Sequence, residues 1–371
     1  MRVVHVSLVR PRGRPEPEAL LEAWPTLGAV AEAAAQAGAE VSVVQAFHRD
    51  ARLQRGGVAY RFVAEPALPG AAGGFQPWRL AGAVAACAPD VIHVNGLDFP
   101  WHTRVLCGLG APVLTQDHAS TAGQGPALRR WGLAKVAAAA FTDPAQADPF
   151  IGCGELRADL PVFSIPESST QFSPGDRAEA RAATGLDGDP AVLWVGRLIP
   201  KKDPMTVLAA IERAAAVLPG LKLWCCFQAD DLLAQVRARI AVSPLLAPRV
   251  RLLGARPHAQ IETLCRAADI FMLASHFEGS GYALIEAMAC GAAPVVSDIP
   301  SFRRLTGDGR VGVLAPVGDA ETFAQGLITL AARPRDDLHA RTIDHFHHEL
   351  SFAAVGRKLI GAYTALLEAR R

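Results

Sequence analysis

Short apolar runs rich in Val and Ile alternate, along the first half of the chain, with stretches in which apolar residues recur every three or four positions. The periodic stretches predict helices at 26–37, 76–87 and 127–138, and the short runs predict strands at 3–9, 40–47, 58–63, 90–96, 111–117 and 139–143. Strands that are apolar along their whole length are typical of a parallel sheet with both faces buried. The alternation therefore predicts a doubly wound α/β domain.

The second half repeats this pattern. Its predicted strands lie at 191–196, 221–227, 249–253, 269–274, 294–298 and 311–314, and its predicted helices lie at 204–217, 230–241, 257–268, 282–290 and 319–332. The segment 164–190 is rich in Pro, Gly, Ser and charged residues, so we interpret it as a linker. With 371 residues, the chain is expected to fold as two tandem doubly wound, Rossmann-like domains, with ligands bound in a cleft at the carboxyl ends of the strands.

Composition excludes several classes of protein. The net charge is +1, from 37 Lys and Arg against 36 Asp and Glu, which argues against a nucleic-acid partner. The seven cysteines show no CxxC pair, so neither a disulfide framework nor a zinc site is expected. No signal peptide and no unbroken apolar run of ~18 residues is found, and the alanine-rich 133–141 fits a buried helix that leads into a strand. We expect a cytoplasmic protein with at most peripheral contact at the inner membrane face.

The stretch "HFEGSGYALIEAMACG" at 276–291 follows a predicted strand and continues into a helix. Gly279 and Gly281 allow the backbone to approach a ligand closely. The start of the helix offers free N–H donors that favour a phosphate. Glu286, inside the helix, is placed to accept hydrogen bonds from a ribose, and Glu278, before the turn, from the hydroxyls of a second sugar.

A second loop, "VGRLIPKKDP" at 195–204, follows another predicted strand. Its Arg197 and Lys202 are suited to bind a polyanion, whereas Lys201 is interpreted as solvated. The loop lacks the GxxxxGK[ST] pattern, and no GxGxxG follows the first strand, which argues against a P-loop or a dinucleotide site.

One histidine is a further candidate for the functional site. In "LTQDHAST" at 114–121, Asp117 and His118 end a strand, and His118 could orient a hydroxyl of the reacting sugar. His93 is expected to be buried within a strand. The group His345, His347 and His348 is interpreted as a solvated helix face and not as a set of metal ligands.

These loops carry a family resemblance. "FEGSGYALIEAMACGAAPVVSD" resembles the signature of the retaining glycosyltransferases of family four, which have the GT-B fold, and "VGRLIPKK" resembles the cationic loop of the same family. The resemblance extends over about 190–335 and the last helix. It implies a nucleotide-sugar-binding domain at 169–350, an acceptor-side domain at 1–168, and a C-terminal helix at 351–371 that packs back on the first domain.

The resemblance also implies roles for individual residues. Glu278 and His118 would act on the transferred sugar, Glu286 would bind the ribose, and Arg197 and Lys202 would bind the donor diphosphate. The remaining predicted substrate contacts are Gly196, Gly279, Ser280, Gly281, Tyr282 and Ala283.

The sequence departs from the family pattern at several places. Asp203 stands where the family often has glycine, and Arg304 where it often has glutamate. "PESST" replaces the frequent "NGVD" of the linker, and "RPRGRPEPEALLEAWPTLG" replaces a glycine-rich loop after the first strand. The last difference falls on the acceptor side, so the sequence does not indicate the acceptor.

The expected reaction is retaining transfer of a hexosyl group from a nucleotide-sugar to a hydroxyl of a glycan, a lipid-linked molecule or a small molecule, as in polysaccharide biosynthesis. The loop would stabilise the departing diphosphate without a metal or other cofactor. Two other readings remain open: a nucleotide-sugar epimerase of similar fold, and a catalytically silent protein that binds nucleotide-sugars or serves in assembly.

Overall fold

The computed structural model describes residues 1–65, 74 and 76–370, and the chain divides into two compact units. Unit 1 comprises Met1–Ser169 together with Phe352–Arg371, and unit 2 comprises Thr170–Ser351. Arg371, at the end of the last predicted helix, lies outside the described residues. The final helix thus belongs to the same unit as the N-terminus.

Within the described residues, unit 1 contains an eight-stranded sheet of order β3-β4-β2-β1-β5-β6-β7-β8. Every adjacent pair is parallel except β3 and β4. The strands are β1 Arg2–Ser7, β2 Glu40–Phe47, β3 Ala51–Arg55, β4 Val58–Ala64, β5 Val91–Asn95, β6 Val113–Gln116, β7 Ala138–Phe141 and β8 Val162–Ser164. The helices are α1 Pro17–Ala23, α2 Pro25–Gln36, α3 Trp78–Ala85, α4 Pro100–Leu106, α5 Pro126–Leu133, α6 Asp148–Gly152 and α15 Phe352–Glu368.

In the part of the chain that the structure describes, unit 2 contains a six-stranded parallel sheet of order β11-β10-β9-β12-β13-β14. Its strands are β9 Ala191–Gly196, β10 Lys222–Phe227, β11 Val250–Gly254, β12 Ile270–Leu273, β13 Ala293–Ser297 and β14 Val313–Ala315. Its helices are α7 Arg177–Thr184, α8 Pro204–Ala214, α9 Leu233–Ala241, α10 His258–Ala267, α11 Tyr282–Ala289, α12 Pro300–Thr306, α13 Ala320–Ala331 and α14 Arg335–His345. The predicted pair of doubly wound α/β domains is confirmed.

The prediction of a helix over 127–138 is wrong at its C-terminal end. Helix α5 stops at Leu133, and Ala138–Phe141 form a central strand whose residues are all buried. The strand is hydrogen-bonded in register to β6 on one side and β8 on the other. Alanine favours helix locally, but the ladders on both sides and complete burial override that preference.

The sequence analysis missed the edge strand β3. Its side chains "ARLQR" alternate between half-exposed and exposed, so they lack the apolar signature of a buried strand. The strand is joined to β4 by Gly56 and Gly57, whose φ angles of 57° and 79° suit a tight hairpin turn. The two adjacent glycines were the feature of the sequence that could have indicated this hairpin.

The interpretation of 164–190 as a linker is also wrong in part. Helix α7 lies within it, and the Asp176 carboxylate caps the helix by accepting a hydrogen bond from the Glu179 N–H at 2.8 Å. Gly185 ends the helix with a φ of 69°. The Arg181 guanidinium donates to Asp269 at 2.8 Å, which fixes α7 to unit 2. The composition of 164–190 is typical of a linker, but the capping residues Asp176 and Gly185 indicate the helix within it.

A buried polar cluster joins α15 to the sheet of unit 1. The Tyr363 hydroxyl lies 2.9 Å from Nε2 of His5 and 2.7 Å from Nδ1 of His93. All three residues are at most 1% exposed. Burial lowers the pKa of His5 to about 3 and depresses the pKa of His93, so both rings are neutral near pH 7. The predicted burial of His93 is confirmed, and the cluster sets the position of α15.

We expect Tyr363→Phe to lower the free energy of unfolding by about 1–3 kcal/mol, because it leaves two buried imidazole nitrogens without their hydrogen-bond partner. Denaturant unfolding measures the loss. Tyr60→Phe is the matched control, since the Tyr60 hydroxyl bonds the half-buried Glu32 at 3.0 Å and its loss leaves a carboxylate that has Arg55 as a second partner. Equal stability of Tyr363→Phe and wild type would contradict a stabilising role for the cluster.

One helical stretch, Arg335–Glu368, is long and apolar enough by length and composition to cross a membrane, although no unbroken apolar run indicated it. About 44% of its most apolar window is buried in the structure. Its apolar side chains Val355, Leu359 and Leu366 pack in the core of unit 1. This is the arrangement of a core helix.

Candidate functional site

The glycine-containing turn between β12 and α11 is shaped by Gly281. This residue is the N-cap of α11 and has a φ of 65°, in the left-handed region. A Cβ at this position would lie 2.6 Å from Cδ1 of Leu305, so the site requires glycine for both space and conformation. Gly279 and Ser280 lie in the turn, and Tyr282 and Ala283 begin the helix.

The cationic loop lies directly against this turn. Gly196 ends β9, the exposed Arg197 follows it, and Pro200–Lys202 form a single 3-10 turn. The His276 N–H donates to the Lys201 carbonyl at 2.9 Å. The Lys202 ammonium forms an ion pair with Glu278, and both side chains are largely buried. The structure therefore brings together the two loops that the sequence analysis singled out in this unit.

Glu278 is held by a second contact. The Ser275 hydroxyl donates to its Oε1 at 2.7 Å, and Ser275 itself is fully buried. The neighbouring cation has a different contact. The Lys201 ammonium lies 4.5 Å from the centroid of the Phe277 ring. Lys201 and Lys202, although adjacent, therefore have different partners, and only Lys202 reaches the carboxylate.

Glu286 is partly buried, with 14% of its side chain exposed, and its Oε1 lies 2.6 Å from Nε2 of His258. Burial raises the pKa of Glu286, and the hydrogen bond from His258 opposes that rise only in part. The His258 ring in turn packs on Phe172, with ring centroids 4.6 Å apart. The sequence analysis missed His258 and Phe172. The position of His258, soon after strand β11, was the available signal for the histidine.

Asp203 explains one departure from the family pattern. It adopts φ 43° and ψ 61°, a left-handed conformation that glycine would adopt without strain. Its carboxylate accepts from the Thr206 N–H at 3.0 Å and from the Thr206 hydroxyl at 2.7 Å, which caps α8. His276 lies 2.9 Å from the same carboxylate. Burial alone would raise the pKa of Asp203, but the hydrogen bonds from His276 and Thr206 hold it below its ordinary value.

The variants Asp203→Gly and Asp203→Ala should therefore differ. Gly removes the backbone strain and retains a tolerated cap, so its stability should stay within about 0.5 kcal/mol of wild type. Ala keeps the strain and loses the cap, and should cost about 1–2 kcal/mol. Asp203→Asn, which keeps both a cap and a left-handed preference, is the control, and denaturant unfolding measures all three. If Ala is as stable as Gly, the conformation of Asp203 does not matter to the fold.

His118 lies in unit 1, at a cavity of about 440 Å³. Its Nδ1 lies 2.7 Å from Oε1 of Glu167, and its Nε2 lies 3.2 Å from Oδ1 of Asn95. The sequence analysis missed Glu167, which stands in the "PESST" segment just after strand β8. Asp117 accepts from the Ser120 N–H at 2.9 Å and shapes the loop, and burial raises its pKa. The paired carboxylate fixes the orientation of the His118 ring.

The other histidines differ from their prediction in one case. His345 is buried, and its Nε2 lies 2.8 Å from the Leu305 carbonyl oxygen, so the interpretation of a solvated residue is wrong for it. His347 and His348 are exposed. Among the residues that the structure describes, no group of three or more His, Cys, Asp or Glu is arranged to hold a metal ion.

Comparison with known families decides the assignment. Residues 176–344 match the model described as Glycosyl transferases group 1, and residues 26–148 match the model described as Glycosyltransferase Family 4. This chain therefore matches two glycosyltransferase models, which support its assignment to family four with the GT-B fold. Its two matched segments fall in unit 2 and unit 1 respectively.

Curated relatives of this chain include two D-inositol 3-phosphate glycosyltransferases. That of Segniliparus rotundus is 32% identical over 201 residues, which cover 53% of this chain and 44% of the relative. That of Mycobacterium bovis is 33% identical over 212 residues, which cover 52% of this chain and 42% of the relative. The matches thus span less than half the length of these relatives.

Solved structures show the same fold as this chain. Sucrose-phosphate synthase from Thermosynechococcus elongatus aligns over 100% of both chains, with a TM-score of 0.66 and 18% identity. Anabaena HepE in complex with UDP aligns over 98% of this chain and 100% of its own, with a TM-score of 0.71 and 16% identity. At these identities the likeness concerns the fold.

Proposed function

We propose that the chain is a retaining, metal-independent glycosyltransferase that moves a sugar from a nucleoside-diphosphate sugar to a hydroxyl acceptor. One observation carries the proposal. Two cations, Arg197 and Lys202, lie on a loop that contacts the glycine-containing turn at the start of α11, and Glu278 and Glu286 stand on either side of that turn. Cations beside a helix N-terminus suit a diphosphate, and the carboxylates suit the hydroxyls on its two sides.

The names of relatives agree with this proposal. Curated relatives are named as glycosyltransferases, and HepE was crystallised with UDP and with UDP-glucose. UDP and UDP-glucose are therefore the first ligands to test.

In the proposed reaction, the bond between the anomeric carbon and the β-phosphate oxygen breaks, and its electron pair leaves with the diphosphate. The acceptor oxygen forms a new bond to the same face of that carbon and passes its proton to the departing phosphate. Negative charge thus grows on the leaving group, where Arg197, Lys202 and the N–H groups of the turn would stabilise it.

The Lys202–Glu278 ion pair fits this chemistry. In the structure each charge neutralises the other in a largely buried place. A bound donor would offer phosphate oxygens to Lys202 and sugar hydroxyls to Glu278, so it would exchange one ion pair for two sets of contacts. In unit 1, His118, oriented by Glu167, would bond a substrate hydroxyl.

A thermal-shift screen with UDP, GDP and ADP, each with and without its sugar, tests donor binding, because a ligand that binds only the folded state raises the melting temperature. Product analysis by NMR with the preferred donor and a panel of hydroxyl acceptors then tests transfer. A product with retained anomeric configuration in the presence of EDTA supports the proposal. Isomerised donor without acceptor would indicate an epimerase, and binding without turnover a silent protein.

A further inference from the structure

Unit 1 carries an aromatic and basic surface that the proposed reaction does not use. Helices α3, α4 and α5 together contain three of the six tryptophans of the chain and four arginines, but no Asp or Glu. We define the aromatic–basic face by the side chains that these helices, and the turn after α5, present outward: Trp78, Trp101, Arg104, Leu128, Trp131 and Lys135.

Ring contacts show that the face is continuous from helix to helix. The rings of Trp78 on α3 and Trp101 on α4 lie edge to face, with centroids 6.4 Å apart. The Arg104 guanidinium on α4 lies 5.6 Å from the centroid of the Trp131 ring on α5. The three helices therefore present one row of side chains.

The apolar members of the face are unusually exposed. Trp78, Leu128 and Trp131 are 59%, 56% and 46% exposed. Large apolar side chains that cluster on a surface indicate an interaction site, whereas isolated ones need no explanation. Tryptophan in particular is favoured where one side of the ring meets hydrocarbon and the other meets water.

The charge of the face is positive after local pairing is counted. Arg79 is paired with Asp50, and the buried Arg129 is paired with Asp98 and Glu155. Arg104 and the exposed Lys135 form no ion pair among the residues that the structure describes, and Arg130 bonds the carbonyls of Cys153 and Gly154 and keeps its charge. Cations interleaved with tryptophans fit a partner that is apolar inside and negative at its surface.

We propose that the aromatic–basic face binds the surface of an anionic lipid bilayer, with the tryptophans at the level of the headgroups and the cations on the lipid phosphates. The face adjoins the cavity at His118, because Asp98 and Phe99 line that cavity and Trp101 follows two residues later in the chain. A bilayer on this face would therefore lie beside the cavity. The inference does not depend on the transfer activity, since it concerns a surface of unit 1 alone.

Vesicle co-sedimentation of the full chain tests the proposal without nucleotide. We expect binding to vesicles of phosphatidylcholine with phosphatidylglycerol at low salt, and weak binding to phosphatidylcholine alone or at high salt. Lys135→Glu should weaken binding to the anionic vesicles at least fivefold, because it removes one cation, each cation near the surface contributes a factor of roughly five, and the new carboxylate is repelled. Trp78→Ser combined with Trp131→Ser should reduce binding to both kinds of vesicle.

Exposed positions of unit 2 supply matched controls. Val242, which is 77% exposed, and Arg237 on α9 allow Val242→Ser and Arg237→Glu, which should bind as wild type does. Circular dichroism checks that each variant folds. If the double tryptophan variant does not fold, Lys135→Glu alone tests the proposal. Absence of wild-type binding to anionic vesicles, or equal losses in the unit 2 controls, would overturn the proposal. Binding to soluble polyphosphate but not to vesicles would overturn it in favour of an acidic polymer.

Discussion

Lys202→Ala and Arg197→Ala should each reduce the rate of sugar transfer by roughly a hundred- to thousandfold, with the fold intact. Removing one donor to a charge that develops in the transition state typically costs about 2.7–4 kcal/mol. The loss should appear mainly in kcat, because charge on the diphosphate grows as the bond to the sugar breaks. Steady-state kinetics with the preferred donor measure the effect.

Lys201→Ala provides a matched control for this prediction. Lys201 is adjacent in sequence, but its ammonium lies over the Phe277 ring and the backbone carbonyl that accepts from His276 remains in the variant. Its rate should stay within about threefold of wild type, as for most surface substitutions. Rates near wild type in Lys202→Ala would contradict the proposed role of this loop, and so would an equal loss in Lys201→Ala.

Glu286→Gln and Glu278→Gln should separate the nucleotide end of the site from the sugar end. Glu286→Gln should weaken binding of the free nucleoside diphosphate and of the nucleotide-sugar by a similar factor, because it would alter the proposed contact to the ribose that both ligands share. Glu278→Gln should leave binding of the free diphosphate nearly unchanged and lower turnover, because it would alter the proposed contact to the sugar, which is expected to strengthen in the transition state. Calorimetry with the diphosphate and with its sugar, together with kinetics, distinguishes the two.

The ion pair in the free protein provides a check on Glu278. Glu278→Gln releases Lys202 from its partner, so any change in diphosphate binding should be a slight strengthening. If Glu278→Gln weakens the free diphosphate as much as Glu286→Gln does, the order of the two groups along the loop is wrong. Equal effects of about half a kcal/mol or less from both would indicate ordinary surface residues.

Glu286 should also affect how the stability of the folded protein depends on pH. Its pKa is raised in the folded protein, so the folded state retains a proton to higher pH than the unfolded state does. The contribution of this group to stability is fully present below its ordinary pKa of 4.5 and is lost as pH rises through the folded value. Glu286→Gln should therefore gain stability relative to wild type as the pH rises above about 4.5, although we expect it to bind nucleotide less well. If the stability of wild type and that of Glu286→Gln depend on pH in the same way, burial of the Glu286 charge does not lower stability.

The fold followed from sequence wherever burial on both faces left an unbroken apolar run, as in β9 and β12. Prediction from sequence failed at β7, where strand pairing outweighed the local preference for helix. It also failed at the edge strand β3, which is formed by half-exposed polar residues. In the candidate site, the sequence pointed to residues that follow strands, including Arg197 and Glu278, and their roles stay predictions. Partners such as Glu167 and Phe172 could not, because their positions depend on how distant segments pack.

The division of unit 1 into two segments of chain has a consequence for biosynthesis. The 182 residues of unit 2 separate Ser169 from Phe352, so a ribosome translates all of unit 2 before it translates α15. Until then, His5 and His93 lack the Tyr363 hydroxyl, and the apolar positions that Val355 and Leu359 cover stay open to water. Unit 2 has all its strands in one continuous segment and can complete its sheet first. The nascent N-terminal unit is thus the one that reaches its native core last, although it is made first.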